Sequence, residues 1–214
     1  MNKSVTCAQA VLAQAGMDIA IANPKLKEML AQTSALHKHL CPRQVLGVRM
    51  GLYAAEILSL ELPQRDKHLL AFVETDGCFA DGVSAATGCS MGHRTMRLVD
   101  YGKVAVTFVD THDGRAVRLS PMLDVRPRAV AAVPAAANRW KAQLEAYQRL
   151  RNDELFEVKA VQLNMDVEAI VGKAGVRVNC AICGEEILNQ RAVVKDEQTI
   201  CRGCAGKSYW SLMK

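Results

Sequence analysis

Two groups of cysteine and histidine account for most of the chemistry this chain could do. The first is Cys180, Cys183, Cys201 and Cys204, arranged as C-x2-C, 17 residues, C-x2-C. Each pair turns at a glycine, Gly184 or Gly203. Such a turn lets two thiolates and the N–H groups around them converge on one cation. Four thiolates at this spacing fit a structural, tetrahedral Zn2+ site of the zinc-ribbon or treble-clef type. A rubredoxin-like iron would use the same ligand set. So short a segment has little core of its own, and the metal would supply its folding energy. With all four positions filled by protein, docking to a partner or to a second copy is a better expectation than catalysis.

The second group is dispersed. His37, His39 and Cys41 alternate, so on an extended segment all three would point to one side. Pro42 then starts a helix. Imidazole and thiolate together suit Zn2+, Fe2+ or Ni2+. A thiol at a helix N-terminus also tends to a lowered pKa, which makes Cys41 a candidate nucleophile without any metal. Cys78 and Cys89 lie eleven residues apart and flank a Gly-rich stretch. They could complete a site with His37, His39 and Cys41, or could be small buried hydrophobes. Asp81 reads as an acid, base or ligand, or else as a helix N-cap. Thr87, Ser90 and His93 could shape a pocket. Tyr101 and Lys103 flank a turn that is either solvated or part of the site. Cys7 reads as mid-helix core, and His68 and His112 as surface residues rather than ligands.

The elements that must position these residues follow from pattern. The chain has 214 residues, 27 Lys+Arg against 22 Asp+Glu, 50% apolar and 23% charged residues. That describes one globular domain plus an appendix, not a disordered chain. The net charge of +5 divides as +3, +1 and +1 over residues 1–130, 131–179 and 180–214. No basic run marks a phosphate-binding stripe. No window approaches the ~18 apolar residues of a membrane span. The N-terminus is poor as a signal peptide, and a cytoplasmic protein is expected. Ser4 can cap a first helix ending at Gly16, and Asn23-Pro24 starts a second. A long amphipathic helix from Pro42 would carry Val45, Val48, Leu52, Ala55 and Leu58 on one face. Its Gly47 and Gly51 suggest a close neighbour, since each costs about 1 kcal/mol of helix propensity. LLAFVET, TMRLVD, KVAVTFVD and RAVRLS read as strands, with a hairpin turn at Asp113-Gly114. Residues 135–152 read as a helix. A core domain over 1–175 and a zinc domain over 176–214 are expected.

Several stretches together resemble the FmdE-like family of formylmethanofuran dehydrogenase proteins: HKHLCPRQVLGVRMG, GCFADGVSAATGCSMG, DYGKVAVTF and the terminal CAICGEEI…CRGCAG. The resemblance implies an α+β fold, a mixed β-sheet flanked by helices plus a small C-terminal zinc domain, and a homodimer. It places His37, His39 and Cys41 on the family's first motif. Cys78, Asp81 and Cys89 fall on the second, and Tyr101 and Lys103 on the third. Lys38 and Arg43 stand where the family has glycines, and both add positive charge. The implied function is a metal-binding accessory or regulatory protein for a molybdenum/tungsten oxidoreductase of anaerobic one-carbon metabolism. Its cofactors would be a structural Zn2+ and a second metal (Zn, Fe or Ni) in the core. The alternative is an enzyme in its own right, with Cys41 as nucleophile or an open metal site at His37 and His39, and Asp81 or Lys103 moving protons. A nucleic-acid-binding regulator using Arg202, Lys207 and Trp210 is disfavoured by charge.

Overall fold

A computed structural model describes residues 24–64, 66–172, 175–189 and 191–213. The expected first helix, with Ser4, Cys7 and Gly16, lies outside them. The chain divides into two compact units, one up to Val171 and one from Gly172.

In the first unit, helix α1 (Pro24–His37) begins at its proline and α2 (Pro42–Leu58) at the next. Strand β1 (Leu69–Val73) leads into α3 (Cys78–Thr87). Then come β2 (Met96–Leu98), β3 (Val106–Asp110) and β4 (Ala116–Pro121). Helices α4 (Val125–Ala132), α5 (Arg139–Arg149) and α6 (Asn152–Leu155) precede β5 (Phe156–Val161) and α7 (Val167–Val171). The sheet order is β2-β1-β3-β4-β5. β2 runs parallel to β1 and the other neighbours are antiparallel. Asp113 and Gly114 make the β3–β4 turn, where Gly114 takes φ +75°.

All five residues of β1 are buried. Alternate side chains on a strand face opposite ways, so β1 feeds two cores. Leu69, Ala71 and Val73 join the large one with α1, α2 and α3. Leu70 and Phe72 join a small one with Val109, Ala116 and Ile170. Helix α2 departs from the expected single apolar face: 14 of its 17 residues are buried. A helix wrapped on every side has no solvent face to keep polar. Its Arg49 is fully buried. Arg49 donates to the carbonyls of Tyr147 and Leu150 and to Asn152 Oδ1, each at 2.8 Å. Desolvation pushes its pKa down to about 10, while the carbonyls at the end of α5 give the cation partners.

The second unit holds two antiparallel pairs, β6 (Arg177–Asn179) with β7 (Glu186–Leu188) and β8 (Val193–Lys195) with β9 (Gln198–Ile200). Asp196 and Glu197 turn the second hairpin with φ of 49° and 62°, the left-handed pair that matches strand twist in a two-residue loop. Its apolar core is small: Cys180, Ile187 and Ile200.

Candidate functional site

The site is made by two helix starts that touch. Cys41 is the N-cap of α2, and Gln44 accepts its backbone N–H at 2.7 Å. Gln44 is itself buried and donates to Thr33 of α1. Cys78 is the first residue of α3, after Gly77 at φ 75°, ψ −155°, a conformation open only to glycine. The two helices meet backbone to backbone. A Cβ on Gly47 would lie 2.3 Å from the Phe79 carbonyl oxygen, and one on Gly82 would lie 2.4 Å from that of Gln44. Gly51 makes room instead for a side chain, the Ala86 methyl, which would lie 2.6 Å from a Cβ there. Helix α3 is the close neighbour that Gly47 and Gly51 suggested.

Cys41 and Cys78 are both free thiols in side-chain contact. Burial, and then the neighbouring Cys41 thiol, push the Cys78 thiol above its ordinary range, against the lowering effect of the α3 N-terminus. His37 completes the group. Its Nδ1 lies 3.8 Å from Cys78 Sγ, and its Nε2 lies 2.6 Å from Asp81 Oδ2. Asp81 sits in the first turn of α3, whose N-cap is Gly77, so the N-cap reading of Asp81 is wrong.

Cys41 and Cys78 open onto a cleft of about 1800 Å3. Arg43, Lys103, Arg118, Arg126, Arg139 and Lys159 line it against only Asp124 and Glu157 among acids. Arg118 is held by the buried Glu74 through two hydrogen bonds of 2.6 and 2.8 Å, and Lys159 lies 3.1 Å from Glu157. The remaining cations leave the walls positive, a field that favours an anion.

Not every expected residue arrives here. The alternation of His37, His39 and Cys41 does not operate, because α1 continues through His37 and Lys38 turns the chain at φ 57°. His39 is exposed, with Nδ1 2.8 Å from the His37 carbonyl oxygen. Cys89 is 1% exposed in the main core, and its thiol donates to the Leu69 carbonyl. Thr87 is fully buried; its hydroxyl bonds the Val83 carbonyl and accepts from the Cys89 N–H. Ser90 and His93 bond each other in an exposed turn. Lys103 reaches the cleft, with its ammonium 5.6 Å from the exposed Tyr101 ring.

Among the described residues, two groups hold three or more ligand atoms within 4.8 Å of one another. One is Cys180, Cys183, Cys201 and Cys204. Zn–S bonds of about 2.3 Å place the sulfurs of a tetrahedral site about 3.8 Å apart, and Cys183 and Cys201 sulfurs are 4.0 Å apart. The Cys201 N–H donates to Cys180 Sγ and the Cys204 N–H to Cys201 Sγ. Backbone N–H groups lower the Cys180 thiol to about 6, whereas the surrounding thiols push Cys204 up to about 12. Four sulfurs this close ionise together only around a cation, so the donors fit zinc. The other group is His68, Asp110 and His112, two of which the sequence pattern assigned to the surface. Asp-x-His at 110–112, at the tip of a predicted hairpin, was the available signal.

The chain thus joins an α+β unit, with Cys41 and Cys78 on its cleft and His37 beside Cys78, to a four-cysteine unit whose donors fit zinc. This chain belongs to the FmdE family: residues 36–167 match the family described as FmdE, molybdenum formylmethanofuran dehydrogenase operon. Residues 172–209 match the prokaryotic dksA/traR C4-type zinc finger. A probable S-adenosyl-L-methionine-binding protein of Archaeoglobus fulgidus is 40% identical over 103 residues, 46% of this chain and 28% of that protein. The chain therefore spans under a third of that relative. The crystal structure of a tungsten formylmethanofuran dehydrogenase FmdE-like protein from Syntrophus aciditrophicus shares the fold. The match has a TM-score of 0.51 at 23% identity, over 87% of this chain and 95% of that one.

Proposed function

We propose that this chain is a metal-binding accessory protein whose core cleft holds a transition-metal ion on Cys41, Cys78 and His37, facing an anionic ligand. One observation carries the reading: His37 presents one ring nitrogen to the Cys78 sulfur and anchors the other on Asp81. Ligating histidines are oriented this way, with the distal nitrogen on a carboxylate. Two ligands of one tetrahedral zinc, one sulfur and one nitrogen, lie about 3.6 Å apart, close to the 3.8 Å between Cys78 and His37. Asp81 then acts as the residue that holds His37, not as a ligand. The three donor atoms do not all lie within 4.8 Å of one another, so the side chains would draw together on an ion. The position left over would face the cleft, where Arg43, Lys103, Arg126 and Arg139 supply charge for an anion. The ion would act there as a Lewis acid or redox centre.

The family's description names a molybdenum formylmethanofuran dehydrogenase operon, which supports service to a molybdenum/tungsten oxidoreductase of anaerobic one-carbon metabolism. A cytoplasmic homodimer is the form in which the chain would act. The zinc unit would dock the partner, and its exposed Tyr209, Trp210, Leu212 and Met213 supply the apolar contacts.

Cobalt titration of the full chain, prepared anaerobically, tests the cleft reading. Thiolate–cobalt charge-transfer absorption should exceed what the finger alone gives, and C41S/C78S should remove the excess. A spectrum unchanged in C41S/C78S would overturn it. Small dicarboxylates are the first ligands to titrate, and S-adenosylmethionine, for which a relative is named but whose net charge is positive, is the contrasting ligand.

A further inference from the structure

The β3–β4 hairpin and the segment entering β1 bring three ligating side chains together at the end of β1 away from Cys78. His68 immediately precedes β1, Asp110 closes β3 opposite Leu69, and His112 stands in the hairpin turn. The backbones are pinned. Thr111 donates its N–H to the His68 carbonyl at 2.9 Å and its hydroxyl to the Lys67 carbonyl at 2.8 Å, and the His68 N–H donates to Asp66 Oδ1 at 3.0 Å. Asp110 is 4% exposed. Its Oδ1 lies 3.0 Å from His68 Nε2 and accepts the His112 N–H at 2.9 Å. The two imidazoles stack with centroids 3.6 Å apart and planes 16° from parallel. One ligand atom from each of the three residues falls within 4.8 Å of the others.

We propose that His68, Asp110 and His112 form a second, open site for a borderline divalent cation such as Zn2+, Co2+ or Ni2+. Two imidazoles and one carboxylate select these ions over Mg2+ and Ca2+, which prefer all-oxygen shells. A buried carboxylate is costly without compensation. Here that compensation is the His68 ring and Arg115, whose Nη2 is 3.6 Å from Asp110 Oδ2. A dication would replace the proton that bridges His68 and Asp110. Parallel rings aim their in-plane lone pairs side by side, so His112, the exposed member, must rotate to bring its nitrogen onto the ion. Asp113 follows it in the turn, but its carboxylate is held by the Arg115 N–H and guanidinium, so the donors are His68, Asp110 and His112 alone. Three protein donors leave positions for water or an exogenous ligand, as in catalytic rather than structural sites.

This site is independent of the thiol cleft, and the test separates them. Cobalt binding to the full chain is followed by calorimetry and by absorption. The new site should add one ion with weak nitrogen/oxygen-type bands and no thiolate charge transfer, and C41S/C78S should retain it. H112Q changes an exposed residue and should keep the melting temperature while weakening this ion at least ~10-fold. R115Q, which removes the competing cation, should tighten it. Equal stoichiometry and spectra in wild type and H112Q, or the loss of this ion in C41S/C78S, would overturn the proposal.

Discussion

At the level of single residues, the decisive feature is the way His37 is shared between Asp81 and Cys78. If Asp81 only orients the ring, D81N should leave the fold unchanged and weaken cobalt at the thiol cleft by ~10–100-fold, as loss of such a partner typically does. A competition titration against a chromophoric chelator measures this. Lys38 offers a second test. Its φ of 57° is a conformation that costs a non-glycine residue roughly 1–2 kcal/mol, and the resemblance places a glycine in its position. K38G should match or exceed wild-type stability in urea, while K38V should lose about 1 kcal/mol or more. Residue types were legible in the sequence: His37, Cys41, Cys78 and Asp81 all arrive at one place. Their mode of arrival was not, because alternation was applied to a segment that is helical up to His37. Cys89 was misplaced for a related reason. A free cysteine beside a glycine looks the same whether it lines a pocket or, as here, fills a core behind Leu69.

Among the elements, the packing of α2 on α3 fixes the site. G47A or G82A would drive a methyl group into a carbonyl of the facing helix. Overpacking of this kind typically costs 1–3 kcal/mol. Each variant should lose about that much in chemical denaturation and also lose thiol-cleft metal binding, because the helix starts must part. Arg49 ties α2 to the end of α5. Replacing it with Met would strand two backbone carbonyls and Asn152 without donors, a loss of more than ~2 kcal/mol. The helices and strands were legible because their caps and turns are local: Pro24, Pro42 and Asp113-Gly114 each mark a boundary. The full burial of α2 was not, since it depends on sheet and helices closing around it from distant parts of the chain.

For the whole molecule, the two units should respond differently to chelation. The C-terminal unit has three buried apolar side chains in its core, too few to hold it folded without metal. EDTA under reducing conditions should abolish its dispersed amide NMR signals and leave those of residues 24–171 in place. Acid should act on the same unit. Ligand thiols must shed protons to bind zinc, so affinity falls steadily as pH drops and more steeply below about 6, where Cys180 is protonated along with the other thiols. Zinc release followed by a colorimetric chelator should rise between pH 7 and 5. This unit was the most legible part of the chain, because four cysteines at fixed spacing specify both ligands and fold. The core domain gave no comparable shorthand.

The contact of α2 with α3 has a consequence for which ions the cleft would accept under the proposed function. Cys41 and Cys78 each sit at the start of a helix, and those helices abut through main-chain atoms at Gly47 and Gly82. Side chains can repack around a misfit, but abutting backbones cannot. If the cleft holds an ion as proposed, the two sulfurs would be the jaws of a calliper whose opening the scaffold limits, and the scaffold would discriminate by ionic radius. Cadmium, equally fond of sulfur but larger than zinc, would have to wedge the helices apart to enter.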